Sequence, residues 1–411
     1  MRKRHVISAA ITVAASLCVL FSSFARAADR KEITDFISSV QAEYAPDLRL
    51  NFVEIRFGPD DDEVEVVTTS FPMFATIANA KNAFPDWRFT AKLYPENNTH
   101  QVKGRPISET WRALVNFSSI QLQKKFDHAS EWGTQAVMGT PVRVIDTVNG
   151  WLLIQTPDGY LGYTPAGSVT TLTREEFKRW LDSPRVITLD NYGFIYSEPS
   201  LDSATVSDLT AGCVLVWKEK EVRDGFYRVE TPDGRLGWIP QKSASEWNEW
   251  LDSRELTADN IISTARRFLG SPYVWGGTTS KGVDCSGLVS LTFRLNGYTI
   301  LRDVSQIQRE GIDVDISQGY SAFQPGDLLI FGIPARPGTS ARYRHVGIYI
   351  GDGLFIHSAT SVHESSLNPD SPLYDEYNAQ QLIKVVRMIG AEHTEHFRPI
   401  KDNQFLKEEW R

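Results

Sequence analysis

The chain has 411 residues, of which 41% are hydrophobic and 23% are charged, a composition that is ordinary for globular proteins. This length predicts two to four domains. The formal net charge is −8, and an acidic protein is a poor candidate for binding nucleic acid or an anionic membrane surface.

The first 27 residues have the pattern of an export signal. Arg2, Lys3 and Arg4 precede an uncharged apolar run at residues 6–24, and Ala25-Arg26-Ala27 has the small-x-small form of a cleavage site. We expect cleavage after residue 27, no membrane attachment afterwards and a periplasmic protein, with secretion as the alternative. Cleavage leaves 39 basic and 51 acidic residues, a formal charge of −12.

Residues 29–110 predict a small α/β module whose role the sequence does not indicate. Helical and strand-like patterns alternate in the order helix 32–44, strand 50–57, strand 64–69, helix 74–84 and strand 88–94. We find no chemistry in this module, because the acidic run from Asp60 to Glu63 lacks the ligand spacing of a calcium loop.

A sequence repeat with an offset of 75 residues occupies the middle of the chain. Gly150-Trp151-Leu-Leu-Ile-Gln-Thr156-Pro-Asp-Gly159 recurs as Gly225-Phe226-Tyr-Arg-Val-Glu-Thr231-Pro-Asp-Gly234. Short alternating segments joined by Pro-Asp-Gly turns predict two small β-barrels, at 111–172 and 184–248, and these resemble bacterial SH3-like domains. Because the first copy carries Tyr160 where the second carries Arg235, we expect the first barrel to have a role of its own.

The clearest chemical pattern follows the repeat, where Tyr273-Val-Trp275-Gly-Gly precedes Asp284-Cys285-Ser286-Gly287. Apolar residues then recur at three- and four-residue spacing, which predicts a helix that begins at Cys285 with Asp284 as its N-cap. The unpaired N–H groups and the dipole at such a position favour the thiolate. We therefore expect Cys285 to be a nucleophile, although most isolated cysteines are inert core residues. Cys213 lies in an apolar segment and does not look like its disulfide partner.

A base for this nucleophile lies downstream, in two strand-like segments joined by Gly351-Asp352-Gly353. A three-residue loop places His357 opposite Gly347, so that His345 and His357 share one face at a backbone separation of about 7–8 Å. A two-residue loop would put them on opposite faces. With the three-residue loop, we predict that His345 accepts the thiol proton and that His357 orients the imidazole of His345.

These residues resemble the NlpC family of bacterial cell-wall peptidases, which are papain-like cysteine enzymes. The shared features are Tyr273-x-Trp275-Gly-Gly, Asp284-Cys285-Ser286-Gly287, Leu301-Arg302-Asp303, Pro325-Gly326-Asp327-Leu328, His345-Val-Gly-Ile-Tyr and His357-Ser358-Ala359. The resemblance implies a catalytic domain at residues 257–400, with helices packed on an antiparallel sheet. It also implies that Tyr273 stabilises the developing oxyanion, a role that a positioned phenol can fill.

The segment at residues 127–141 resembles the first SH3-like domain of one subfamily, the γ-D-glutamyl-L-diamino-acid endopeptidases (dipeptidyl-peptidase VI). There this domain leans over the active-site groove, and an acidic residue binds the free amine of the substrate's L-alanine. The resemblance assigns that role to Glu131, with Tyr160 packed against the same end. It also implies contacts to the L-Ala-γ-D-Glu portion of the substrate from Trp275, Asp284, Ser286 and Asp303.

Two features depart from that subfamily. Val304 stands where the subfamily tends to have a small polar residue, which affects one hydrogen bond to the γ-D-Glu carboxylate. A loop beside the groove, at residues 334–344, carries Arg336, Arg342 and Arg344, and these are either solvated or available to the acidic side of diaminopimelate.

The combined prediction is a multidomain α+β cysteine endopeptidase, built from the α/β module, two SH3-like barrels and a papain-like domain. We expect it to need no metal or other cofactor and to cleave the γ-D-Glu–diamino-acid bond of murein stem peptides with a free N-terminal L-Ala. Two alternatives stay open: an endopeptidase or amidase that acts on intact or cross-linked wall, and a wall-binding protein with an inactive peptidase domain. The sequence does not indicate lysine or diaminopimelate at the third position, nor the oligomeric state.

Overall fold

The structure, a computed structural model, describes residues 28–60, 62–394 and 396–407. The predicted export signal lies outside the described residues. Within them, none of the helices has the length and apolar character needed to cross a membrane.

The N-terminal module packs two helices on a three-stranded sheet. Its elements are α1 (Arg30–Tyr44), β1 (Val53–Phe57), β2 (Glu63–Thr68), α2 (Phe71–Ala78) and β3 (Arg88–Leu93). β2 pairs antiparallel with β1 and parallel with β3. The order of helices and strands confirms the predicted α/β pattern. α2 begins three residues earlier than predicted, after its N-cap Ser70, and ends at Ala78, before a 3₁₀ turn at Ala80–Asn82. Three short elements lead into the next domain, namely β4 (Gln101–Val102), β5 (Arg105–Pro106) and α3 (Ile107–Thr110).

Two seven-stranded sheets follow. The first contains β6 (Arg112–Val115), β7 (Ile120–Gln123), β8 (Trp132–Ala136), β9 (Pro141–Val148), β10 (Trp151–Gln155), β11 (Leu161–Pro165) and β12 (Val169–Leu172). The second contains β13 (Arg185–Thr188), β14 (Tyr192–Tyr196), β15 (Thr205–Thr210), β16 (Val214–Arg223), β17 (Phe226–Glu230), β18 (Leu236–Pro240) and β19 (Ala244–Glu246).

Both sheets have the same strand order. Numbered along each repeat and listed from one edge of the sheet to the other, the strands are 7, 1, 4, 5, 6, 2 and 3. β10 and β17 begin 75 residues apart, as do β11 and β18, so the sequence repeat is a structural repeat. A helix follows the last strand of each copy, α4 (Arg174–Asp182) and α5 (Trp247–Asp252), and both helices bury tryptophans in one shared core. That core joins the two barrels, because it contains side chains from both of them.

The catalytic domain has a six-stranded antiparallel sheet with helices on it. The strands of this domain are β20 (Thr278–Thr279), β21 (Gly282–Val283), β22 (Tyr298–Thr299), β23 (Ile312–Val314), β24 (Leu328–Ile333), β25 (Arg342–Gly351), β26 (Leu354–Ser358), β27 (Val362–Ser366), β28 (Leu382–Arg387) and β29 (Arg398–Pro399). The helices are α6 (Ala258–Arg266), α7 (Cys285–Leu295), α8 (Val304–Ile307) and α9 (Glu376–Ala379).

The central helix of this domain is α7, which lies across β25 and β26. Leu288 and Leu291 of α7 share a buried core with Val346, Ile348 and Ile356 of the sheet. This packing brings the N-terminus of α7 next to the histidine-bearing strands, and it therefore determines where the candidate nucleophile meets its base.

Candidate active site

Cys285 is the first residue of α7, which begins where the sequence predicted. The Asp284 carboxylate caps the helix by accepting the backbone N–H of Gly287 at 2.7 Å. Gly287 has to be glycine, because a Cβ atom there would lie 1.9 Å from the carbonyl oxygen of Gly277. The Asp-Cys-Ser-Gly motif therefore lets the preceding loop pack directly on the first turn of the helix.

The thiol of Cys285 is buried beside β25. Burial raises the pKa of this thiol to about 12 and the Asp284 carboxylate adds to the rise, whereas Arg302 and two backbone N–H groups, one of them from Val346, lower it. The backbone N–H at the helix N-terminus lowers the pKa of the thiol, as predicted, but desolvation and the Asp284 carboxylate outweigh it, so the thiol is neutral at neutral pH. The contact with Val346 places the thiol at the strand position next to His345.

The two predicted histidines meet on the β25–β26 hairpin. His357 pairs with Gly347, as predicted. The turn contains two residues, Asp352-Gly353, and not the expected three. Such a turn alone would shift the pairing of the two strands by one residue, but a one-residue bulge between Tyr349 and Gly351 cancels that shift, so His357 still pairs with Gly347. Nε2 of His345 consequently lies 2.7 Å from Nδ1 of His357.

His357 is buried and His345 is half-buried, and this environment controls their protonation. Burial lowers the pKa of His345 to about 4. Burial, followed by the neighbouring His345, lowers the pKa of His357 to about 3. Both rings are thus neutral at neutral pH, and His345 is in the form that can accept a proton.

Two further residues contact His357 and were missed in the sequence. His363 Nε2 and Ser365 Oγ lie 3.0 Å and 3.1 Å from Nε2 of His357. The available signal was strand pairing: a short turn at residues 359–361 folds β27 back on β26, so that His363 stands directly opposite His357.

A buried ion pair holds the Asp-Cys-Ser segment in place. Arg302, 1% exposed, donates to both carboxylate oxygens of Asp284 at 2.6 and 3.1 Å and to Ser286 Oγ at 2.8 Å. It also donates from Nε to Thr134 Oγ1 of the first barrel at 3.1 Å. Asp284 and Ser286 were predicted as substrate contacts, but both accept hydrogen bonds from Arg302. The sequence analysis had placed Arg302 in a shared motif and had assigned it no role.

A groove of about 510 Å³ opens at Cys285 between three domains. Six of the predicted residues line it together with the nucleophile, namely Tyr160, Tyr273, Trp275, Asp284, Ser286 and Asp303. Burial, then the charges of Cys285 and Asp284, raise the pKa of Tyr273 to about 12, so its phenol keeps its proton and can donate it to an oxyanion. Val304 also lines the groove and supplies no polar side-chain atom.

The first barrel forms one wall of the groove. Tyr160 packs against Gly133, where a Cβ atom would lie 2.6 Å from the Tyr160 ring, so the glycine makes room for the phenol. Burial and then the Asp303 carboxylate raise the pKa of Tyr160. Glu131 does not line the groove but lies at its rim. Its carboxylate pairs there with Lys124 at 2.7 Å and contacts the exposed side chain of Trp275.

The N-terminal module also reaches the groove, a contact that the sequence did not predict. Arg49 lines the groove and donates to Asp303 at 2.7 Å and to Ser305 at 2.9 Å. Asp47 orients Arg49 and accepts a hydrogen bond from Gln306 of α8 at 2.8 Å. The module is thus docked on α8. Its Arg49 forms an ion pair with Asp303, a residue that had been predicted to bind the substrate.

The structure also locates the loop arginines and the cysteines. Of the loop arginines, Arg344 lines the groove, whereas Arg336 and Arg342 do not. Among the described residues, no group of three or more His, Cys, Asp or Glu side chains could hold a metal ion. Both described cysteines, Cys213 and Cys285, are free thiols.

Comparison with known proteins agrees with this geometry. Residues 270–387 match the NlpC/P60 family, and residues 122–169 match the bacterial dipeptidyl-peptidase Sh3 domain. A Bacillus cereus protein named gamma-D-glutamyl-L-lysine dipeptidyl-peptidase is 30% identical over 269 residues, which are 63% of this chain and 77% of that protein. The chain belongs to the NlpC/P60 family.

Two further proteins are similar to this chain over about two thirds of its length. Dipeptidyl-peptidase 6 from Lysinibacillus sphaericus is 28% identical over 291 residues, 68% of this chain and 98% of that protein. The crystal structure of an NlpC/P60 family protein from Bacillus cereus has a TM-score of 0.57 at 25% identity, and the match covers 67% of this chain and 99% of that one. The predicted α+β fold class is confirmed, and the protein is a cysteine peptidase.

Proposed function

We propose that this peptidase hydrolyses the amide between γ-D-glutamate and the diamino acid in peptidoglycan stem peptides that begin with a free L-alanine. The observation that carries the proposal is the groove itself, which is walled by the first barrel and by Leu48 and Arg49 of the N-terminal module. A volume of about 510 Å³ bounded by three domains suits a short peptide rather than a strand of intact wall. The name of the relative from Bacillus cereus, gamma-D-glutamyl-L-lysine dipeptidyl-peptidase, supports the same bond specificity.

The free amine is the feature that separates released fragments from intact wall. A carboxylate matched to an ammonium group leaves one partner unpaired when the amine is acylated, and this rejects acylated peptides. Two carboxylates stand near the Tyr160 wall: Asp303, which lines the groove, and Glu131 at its rim. Each is already paired with a cation, Arg49 or Lys124, so an incoming ammonium group has to exchange with that cation.

The reaction begins with attack of Cys285 Sγ on the γ-carbonyl carbon of D-Glu, while the thiol proton passes to His345. Because the thiol and the imidazole are both neutral at rest, proton transfer accompanies the attack. Tyr273 donates to the oxyanion. His345 then returns the proton to the departing diamino-acid nitrogen, and water hydrolyses the thioester to release L-Ala-D-Glu and free Cys285.

The test is hydrolysis of L-Ala-γ-D-Glu-L-Lys and its diaminopimelate analogue, each beside its N-acetylated form, followed by mass spectrometry. We expect cleavage of the free-amine peptides only, and none by Cys285→Ala. Glu131→Gln and Asp303→Asn keep the shape of each side chain and remove its charge, so the variant that cleaves acetylated and free peptides alike identifies the amine partner. Equal cleavage of both forms by the wild type contradicts the proposal and favours an enzyme that acts on intact wall.

We also propose that the protein is exported to the periplasm and loses residues 1–27. The basic, apolar and small-x-small order of that segment supports export. N-terminal sequencing of the protein purified from a periplasmic fraction tests it, and the expected mature N-terminus is Ala28. An intact Met1 in a cytoplasmic fraction contradicts the proposal.

A further inference from the structure

The imidazole pair at the active site continues into a third ring. His345 Nε2 lies 2.7 Å from His357 Nδ1, and His357 Nε2 lies 3.0 Å from His363 Nε2. At the far end, His363 Nδ1 lies 2.8 Å from the carbonyl oxygen of Ser361. Three rings on the adjacent strands β25, β26 and β27 are therefore linked in one chain of hydrogen bonds that ends on the backbone.

The Ser361 carbonyl oxygen determines which ring nitrogen donates and which accepts in every hydrogen bond of this series. A carbonyl oxygen only accepts, so His363 carries its proton on Nδ1, and in a neutral ring its Nε2 is then an acceptor. His357 Nε2–H must donate to it, which leaves His357 Nδ1 as the acceptor for His345 Nε2–H. The lone pair of His345 is consequently on Nδ1, the nitrogen that remains available to the Cys285 thiol.

The other neighbours of His357 do not set this direction. Ser365 Oγ, at 3.1 Å, can donate or accept. The carboxylate of Asp375 is 4.0 Å away, and its two oxygens already accept the backbone N–H of Asn378 at 3.0 Å and its side-chain amide at 2.6 Å. Only His363 is both in contact with His357 and anchored to an obligatory acceptor.

We propose that His363 is a positioning residue that keeps Nδ1 of His345 unprotonated, and that protonation of His363 at acidic pH reverses the chain and switches the peptidase off. A doubly protonated His363 donates from both nitrogens. His357 Nε2 must then accept, His357 Nδ1–H donates to His345 Nε2, and the proton of His345 moves to Nδ1. His345 then has no lone pair to offer Cys285.

Two carboxylates act on the imidazoles of this hydrogen-bond chain from other elements. Asp284, the N-cap of α7, acts on His345, and Asp375, at the start of α9, acts on His345 and His357. Neither carboxylate contacts Nε2 of His363, so the switch depends on the proton of His363 itself.

Two substitutions separate the states of His363. His363→Gln presents a carbonyl oxygen to His357 and an amide N–H to Ser361, which copies the neutral ring and cannot be protonated. We expect it to keep kcat/KM at neutral pH within about threefold of wild type and to extend activity to lower pH. His363→Lys presents donors only, and we expect a loss in kcat of at least ~100-fold at every pH, since a wrong tautomer costs on the order of 10⁴-fold in the serine-protease triad.

The matched control is His100→Gln, which removes another histidine from an exposed site remote from the groove and should leave the acid limb unchanged. ¹⁵N NMR of histidine-labelled Cys285→Ala protein gives a readout that needs no substrate: His345 and His357 should be protonated on Nε2 and His363 on Nδ1. A His345 protonated on Nδ1 at neutral pH overturns the proposal, as does an acid limb in His363→Gln identical to that of the wild type. Because the NMR result is independent of which peptide is cleaved, it separates this proposal from the substrate assignment.

Discussion

Replacement of Arg302 by methionine tests whether the buried ion pair with Asp284 holds Cys285 in place. Arg302 is 1% exposed, and its guanidinium makes four hydrogen bonds, to Asp284, Ser286 and Thr134. Methionine fills similar volume but leaves the Asp284 carboxylate buried without its cation. Removal of one partner of a buried pair costs about 3–5 kcal/mol, and we expect this loss in the α7 region.

Hydrogen exchange of the α7 amides in the full chain, followed by mass spectrometry, measures this free energy of local opening. The control is Lys178→Met, which breaks an exposed pair with Asp182 whose side chains are 51% and 64% exposed, and which is worth only about 0.3–0.5 kcal/mol. The double variant combines Asp284→Asn with Arg302→Met, so that neither charge of the buried pair remains. Asparagine is as good an N-cap as aspartate. We therefore expect the double variant to be more stable than Arg302→Met alone.

Two results would refute this reasoning. One is a cost below about 1 kcal/mol for Arg302→Met, which is the range of an exposed pair. The other is a double variant that is no more stable than the single one, because this would show that the unpaired carboxylate is not the source of the loss. We also expect Arg302→Met to lower kcat, since the pair positions the residues on both sides of Cys285.

Three other predictions concern protonation and shape at the site. Because burial holds the pKa of the Cys285 thiol near 12, iodoacetamide should alkylate the folded protein slowly at neutral pH and about tenfold faster per added pH unit; a rate that is high and flat across neutral pH contradicts this. Because the pKa of His357 is about 3 in the folded state and about 6.5 when unfolded, the unfolded state binds more protons below pH 6.5, and His357 should contribute about 2 kcal/mol to the loss of stability from pH 6.5 to pH 5. His345, with a folded-state pKa of about 4, adds a loss of its own, so unfolding measurements on His357→Gln should show that only the His357 contribution is removed. Gly133→Ala puts a Cβ atom 2.6 Å from the Tyr160 ring and should raise KM for free-amine peptides with little change in kcat, whereas Gly167→Ala in the same barrel meets nothing within 4 Å and should leave KM unchanged.

Much of the site was predictable where local pattern determines structure. The start of α7 at Cys285 follows from a capping residue and helical spacing, which act within a few residues. The meeting of His345 and His357 follows from period-two alternation and a short turn, and the bulge altered the loop without altering the register. The repeat predicted two similar β domains, since the same local signals recur 75 residues later, and the structure adds that their sheets share one strand order.

What the sequence could not supply was the environment of those residues. Arg49 meets Asp303 across 254 residues of chain, and Arg302 meets Thr134 across 168, contacts that depend on how domains dock. The helix N-terminus predicted a thiolate at Cys285, yet the raised pKa results from burial, which depends on everything packed over the thiol. The sequence by itself thus determined which side chains are the candidates for the chemistry, because backbone periodicity is local. Only the tertiary structure decided their charge states and partners, because solvent exclusion and ion pairing act between distant segments.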